Sequence, residues 1–272
     1  MRSLDTGTEE LICTVADHVA TVTLNRPAKR NAMSPELLDG LSRALDLTEE
    51  DADVRVVVLT GAGSAFCAGG DVSRMGAHLQ GAGAPPVDDM VRSLRARQEG
   101  GTLRIFDHAK PTIAALPGPA AGAGMGVALA CDLRVAAPTA ALVPAFGAIG
   151  LSGDWGGSWL LARLIGPGRA KEVFFTGRRI ELEEAQSLGI FNRILPAQDF
   201  GAAVQAYAAG IAQGAPVALR LMKENHNRNM VLPLRDAMRE EAANMVKAMQ
   251  TADHRRAAAA FLTKSEVVFE GD

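Results

Sequence analysis

The 272-residue sequence is poor in the groups that several function classes need. Aromatic residues make up only 4%, with a single tyrosine, so recognition of single-stranded bases by stacking is a poor fit. Charge does not lean to one side: the formal net charge is −3, with no excess of Lys and Arg to displace the counterions of a nucleic acid. The three cysteines, Cys13, Cys67 and Cys131, are odd in number, far apart and free of any CxxC spacing. That excludes a disulfide framework and a cysteine-based zinc site, and suits buried thiols in a reducing cytosol. The complete GxGxxG, GK[ST] and GxSxG signatures are missing too, which removes dinucleotide, phosphate-loop and nucleophile-elbow readings. The opening "MRSLDTGTEE" is polar where a signal peptide would turn apolar, so a cytoplasmic location is expected.

What is present is apolar residues, 48% of the chain, against 22% charged, the balance of a globular protein with a sizeable core. One uncharged stretch, Pro111 to Cys131, is long enough to cross a bilayer. Pro117, Pro119 and the glycines at 118, 122, 124 and 126 break it into a strand, a turn and a helix start, so it reads as buried core and no membrane contact is expected.

"LICTVADHVATVTLN" alternates as two short strands around Asp17 and His18. "SPELLDGLSRALDLTEED" places Ser34 as N-cap, Pro35 at the first helical position, and Leu37, Leu38, Leu41 and Leu45 on one face. "VRVVVLTG" and "TIAAL" are the β-branched and apolar runs of buried strands, and each leads into a glycine-rich turn, "FCAGGD" and "GPAAGAGMG". A helix is expected near Val91 to Ile105, and Met75 to Val87 has no apolar period and reads as a surface loop or lid, with His78 and Asp88 in it. The repeated strand–turn–helix unit predicts an α/β core over residues 1–198. Beyond Asp199 the pattern is helical throughout, which predicts a second layer or an oligomerisation region over 199–272.

Glycines after a strand let main-chain N–H groups approach a ligand, and two N–H groups aimed at one point make an oxyanion hole. Among acids, Asp154 in "GLSGDWGGSW" stands just before an apolar helical run that reads as starting at Trp155. By spacing alone it suits an N-cap, held ionised by the helix dipole, as well as it suits a proton carrier. Trp155 and Trp159, four apart, read as one face of that helix. Asp71 and Asp132 suit turn anchors or partners of Arg, and none of the five histidines falls in a recognisable catalytic set.

Taken in order, "LNRPAKRNAM", "FCAGGD", "KPTIAALPGPAAGAGMGVALACDLRVA", "GDWGGSW", "FFTGRRIELEEAQSLGIFNRILP" and "AFLTKSEVVFEG" resemble the crotonase (enoyl-CoA hydratase/isomerase) superfamily over nearly the whole chain. The resemblance implies a spiral of repeated ββα units and C-terminal helices that build a homotrimer or a hexamer made of two trimers. It implies an acyl-CoA thioester substrate whose coenzyme A needs no separate cofactor and no metal. It places the oxyanion donors at the N–H groups of Gly70 and Ala123. Lys29 and Arg30, beside Ala28, would meet the nucleotide phosphates, while Ala32, Ala68, Asp71 and Val72 would line the pantetheine and thioester. Phe261 and Lys264 correspond to residues that reach a neighbouring subunit's coenzyme A.

The same resemblance exposes a departure. The family's hydratases activate water with two glutamates, and those positions here read Gly126 and Phe146. Asp154 falls near an aspartate that some isomerases of the superfamily use, with Phe146 and Trp155 as pocket walls. The expected activity is therefore enoyl-CoA double-bond isomerisation by one aspartate. An enoyl-CoA hydratase with a non-standard acid/base is the enzymatic alternative. An acyl-CoA-binding protein without activity is the alternative from another class.

Overall fold

The computed structural model describes residues 1–71 and 85–272. Strands β1 (Arg2–Leu4), β2 (Leu11–Ala16) and β3 (Val19–Leu24) form an antiparallel meander. Asp17 and His18 turn the β2–β3 hairpin with φ of +50° and +63°, the left-handed pair that a two-residue hairpin turn matched to strand twist requires. Helix α1 (Pro35–Glu50) begins as the sequence predicts: the Ser34 hydroxyl accepts the Leu37 N–H at 3.1 Å, and Leu37, Leu41 and Leu45 are buried.

From β3 onward the sheet grows in chain order and in parallel: β4 (Val56–Gly61), β5 (Thr112–Leu116), β7 (Leu133–Ala136) and β9 (Arg193–Ile194) each join the edge left by the strand before. Two very short strands, β6 (Ala120–Ala121) and β8 (Leu142–Val143), pair beside it in a second layer. Single bridges extend this layer from Cys67 to Ala120 and from Leu142 to Ile180. The repeat is thus a long strand, a short strand or bridge, then a helix: β5, β6 and α3 (Ala123–Ala130) make one complete turn of it. Between β4 and β5, helix α2 (Val87–Gln98) continues through one wide π-type turn, Glu99–Leu103, to Phe106, longer at its start than the expected 91–105.

Alternation along the parallel strands serves two cores. Val57, Leu59, Ala114 and Leu116 face α1, α3, α4 (Gly157–Ile165) and α5 (Pro167–Thr176), while Val56, Val58, Ile113 and Ala115 face the other way. That second face is covered by α7 (Phe200–Ala212), which follows the short α6 (Leu182–Ser187) and buries Val204, Ala208 and Ala212 against it. The helical tail therefore begins as a layer of the core. It continues as α8 (Pro216–Asn229), α9 (Leu234–Met249) and α10 (Ala252–Thr263). The uncharged stretch 111–131 is β5, β6 and α3, buried almost throughout, and among the described residues no helix is long and apolar enough to cross a membrane.

The loop after β3 is fixed by a residue that the sequence reading passed over. Asn31 is fully buried with φ +57°; its amide donates to the carbonyls of Ala62, Ala65 and Phe66 at 2.9, 2.9 and 3.2 Å, and its oxygen accepts from the Arg26 N–H at 2.9 Å. One side chain thus ties the 26–33 loop to the turn after β4. Asn31→Ala removes these partners and keeps a left-handed backbone, and should cost about 3 kcal/mol in chemical denaturation. A loss below about 1 kcal/mol would show that the loop is held by other contacts.

Candidate active site

Two turns, each leaving a strand, bring their N–H groups together. The turn after β4 is joined to β6 by the Ala121 N–H donating to the Cys67 carbonyl at 2.8 Å, and the Gly122 N–H donates to Val143 at 2.9 Å. Gly69 has φ +90°, and a Cβ there would lie 2.8 Å from the Ala121 oxygen and 3.3 Å from the Ala123 nitrogen. Only glycine lets the two turns close this far. Gly70 then follows on one side and Ala123, first residue of α3, on the other; among the described residues none accepts a hydrogen bond from either N–H. Both line one cavity of about 320 Å³.

The same cavity is lined by Ala68, Asp71, Phe146, Asp154 and Trp155, so the structure assembles seven of the residues singled out from sequence. A second space of about 730 Å³, bounded also by Met90, shares Leu94, Arg97, Phe146, Leu151 and Asp154 with it. The wall is mostly apolar. Phe146 is stacked parallel on Phe174 with ring centroids 6.2 Å apart.

At Asp154 the capping expectation is overturned. Helix α4 begins at Gly157, two residues later than the sequence suggested, and its cap residue Gly156 contributes no side-chain bond. Asp154 offers the helix only its main-chain carbonyl, to the Gly157 N–H at 3.1 Å. Its Oδ1 is buried with no hydrogen-bond partner among the described residues. The carboxyl is consequently not held ionised by a dipole; burial alone pushes its pKa up from 3.8 to about 6. Trp155 likewise precedes the helix, with φ +52°, and does not share a face with Trp159. Trp155 is 5% exposed, while Trp159 is 39% exposed, edge-on to Phe106 and under the Arg163 guanidinium.

Of the other predicted residues, Lys29, Arg30, Ala32, Phe261 and Lys264 line neither cavity. Asp71, which lines the cavity, pairs with Arg26 at 3.4 Å and with Lys29 at 3.3 Å. Arg26, whose significance the sequence reading did not register, also reaches Glu10 at 3.1 Å and bonds the Ala32 carbonyl. The signal was its place between the end of β3 and Pro27. Arg30 has φ +49°, and its carbonyl accepts the Ala68 N–H at 2.9 Å; Ala32 is buried beneath the loop. Asp132 anchors β5, accepting from the Thr112 N–H at 2.7 Å and pairing with Lys223 at 2.9 Å. Phe261 and Lys264, at the end of α10, are exposed and line neither cavity. Val72, His78 and the expected loop as far as residue 84 lie outside the described residues.

A fold with long and short strands repeated in chain order, and a cavity that gathers two free N–H groups at glycine turns, define a class that the comparisons make specific. A family model described as enoyl-CoA hydratase/isomerase matches residues 14–272, and the chain belongs to that family. It is 32% identical to the 1,2-epoxyphenylacetyl-CoA isomerase of Escherichia coli, over 97% of this chain and 99% of that protein. It is 31% identical to the short-chain-enoyl-CoA hydratase of Clostridium acetobutylicum, over 92% of this chain and 93% of that protein. The crystal structure of an enoyl-CoA hydratase from Polaromonas sp. JS666 superposes with a TM-score of 0.89 at 33% identity, covering 95% of this chain and 99% of that one. The protein is thus an enzyme of the enoyl-CoA hydratase/isomerase type with the crotonase fold.

The raised carboxyl makes a prediction with a definite sign. The folded state holds the Asp154 proton more tightly than the unfolded chain, so its contribution to stability is fully present below about 4 and is lost as pH rises through about 6. Relative to Asp154→Asn, the wild-type melting temperature should fall between these pH values and then level off. A difference that is constant with pH would mean that the carboxyl titrates normally.

Proposed function

We propose that the protein isomerises the double bond of an enoyl-CoA thioester, with Asp154 as the proton carrier. The observation that carries this reading is a half-buried carboxyl whose Oδ1 has no hydrogen-bond partner among the described residues, in the cavity lined also by Gly70 and Ala123, whose N–H groups no described residue accepts. Those two groups donate to the thioester carbonyl oxygen and strengthen their bonds as it gains charge; one such donor is typically worth about 3–4 kcal/mol in the transition state. Above pH of about 6 Asp154 is ionised and ready to act as a base. It takes a proton from the α-carbon of a 3-enoyl thioester, the carbon–hydrogen electron pair passes into a dienolate, and the carboxyl, whose acid proton exchanges with solvent, delivers a proton to the γ-carbon to leave the 2-enoyl product. Atoms balance without a metal, a redox group or water.

Gly126 and Phe146 support isomerisation over hydration, because neither can polarise water as a glutamate would. Phe146, its stacking partner Phe174 and Trp155 favour a bulky apolar or aromatic acyl group over a short chain. Lys29, Arg30, Ala32, Ala68, Asp71 and Val72 take the coenzyme A side of the substrate in this reading. The exposed apolar residues Met238, Met245, Val246, Phe261 and Leu262 along α9 and α10 support assembly into a homotrimer or a pair of trimers, with Phe261 and Lys264 turned to a neighbour's coenzyme A.

Incubation with 3-enoyl-CoA in deuterated water should give 2-enoyl-CoA carrying deuterium, without the mass gain of water. Asp154→Asn should lower the rate about 10²- to 10⁴-fold while coenzyme A binding is kept. The acid limb of kcat/KM should fall near pH 6. Hydrated product from the wild type would overturn the isomerase reading in favour of a hydratase, and neither exchange nor hydration across chain lengths would favour a binding protein.

A further inference from the structure

The residue next to the proposed proton carrier is in a conformation that its side chain disfavours. Trp155 has φ +52°, between Gly153 at +100° and Gly156 at +67°. A bulky residue persists in the left-handed region only where its surroundings over-determine it.

The surroundings here are two positions that lack a side chain. A Cβ on Gly101 would lie 2.7 Å from Cζ3 of the Trp155 ring, and one on Gly126 would lie 2.4 Å from the Trp155 carbonyl oxygen and 2.8 Å from its Cβ. The first contact is with the ring and the second with the main chain, so the two glycines grip different parts of the same residue. Gly101 belongs to the π-type turn Glu99–Leu103, and Gly126 to α3, whose first residue is Ala123. On the far side of the turn, a Cβ on Gly153 would lie 3.2 Å from Phe174 and 3.7 Å from Phe146.

We propose that Trp155 is a positioning residue, gripped between Gly101 and Gly126, which fixes the 153–156 turn so that the Asp154 carboxylate stands in the cavity beside Gly70 and Ala123. This rests on the reading of Asp154 as proton carrier. It also explains the departure from the hydratases in steric terms. Any side chain at 126 would collide with the Trp155 main chain, so an acid at 126 and an acid presented by this turn exclude each other.

The charged groups nearest the carboxylate do not account for its state. Asp71 and Arg97 line the same cavity and Asp89 the adjoining one, yet burial is the only cause that raises the Asp154 carboxyl. Trp155 is part of what keeps water from it.

The test compares Trp155→Gly, Trp155→Phe, Gly101→Ala and Gly126→Ala by deuterium exchange and by the melting temperature as a function of pH. Trp155→Gly and Gly101→Ala should lower kcat about 10- to 100-fold with KM within about twofold, since a displacement near 1 Å at the reacting group can cost that much. In both, the pH dependence of melting relative to the matching Asp154→Asn double variant should shrink. Trp155→Phe should recover part of each effect. Gly101→Ala alters no residue of the turn and keeps the question open to measurement if a Trp155 variant or Gly126→Ala does not fold. Unchanged kcat and unchanged pH dependence in Gly101→Ala and Trp155→Phe would overturn the proposal. Lost pH dependence in a protein that never exchanges deuterium would instead retain Trp155 as the positioning residue and reject the isomerase reading.

Discussion

The hydrogen bond from the Ala121 N–H to the Cys67 carbonyl joins the two turns that carry the Gly70 and Ala123 N–H groups. It ties the end of one strand–helix repeat to the start of the next, in a layer where pairing is reduced to single bridges and two-residue strands. Gly69 allows that closure, and the closure leaves Gly70 and Ala123 with N–H groups that nothing else described claims. The long parallel sheet serves as the frame that brings these turns into register. In the proposed reaction, anion stabilisation rests on the main chain, and alanine at position 123 keeps the donor because that donor is the amide and not the side chain.

The acid is positioned by different means. Nothing in the sheet register dictates where Asp154 goes. It stands in a turn of positive φ values whose conformation is imposed from outside by packing on Trp155, Phe146 and Phe174. A carboxyl placed in this way has no hydrogen-bond partner for its Oδ1 among the described residues, and its burial raises its pKa to about 6. In the proposed reading the site combines N–H groups fixed by backbone pairing with a carboxyl fixed by side-chain packing.

This difference decides what could be read from the sequence. The hairpin at Asp17 and His18, the Ser34 cap, the buried runs "VVVLTG" and "TIAAL" and the glycine turns all follow local rules, and the structure places them where those rules predict. Asp154 and Trp155 do not. A local reading starts a helix at Trp155, because Asp before an apolar run is a cap signal, while the actual start at Gly157 is set by contacts with Gly101 and Gly126, far away in the chain. Asn31 and Arg26 were illegible for the same reason: their partners are carbonyls and carboxylates of other loops. The reverse holds for α7, whose helical period was plain but whose place on the sheet was not, since an apolar face does not say which surface it will cover.

The chain-order growth of the sheet has a consequence for synthesis. Each new parallel strand finds its partner already made, so strand pairing can keep pace with a chain emerging from the N-terminal end. The face of Val19, Val56, Val58 and Ile113 has no such luck of order: its cover, α7, comes only after β9 has completed the sheet. Until residues 200–212 have emerged, the nascent protein carries a finished hydrophobic wall with nothing on it, and this interval is the point at which self-association competes with folding.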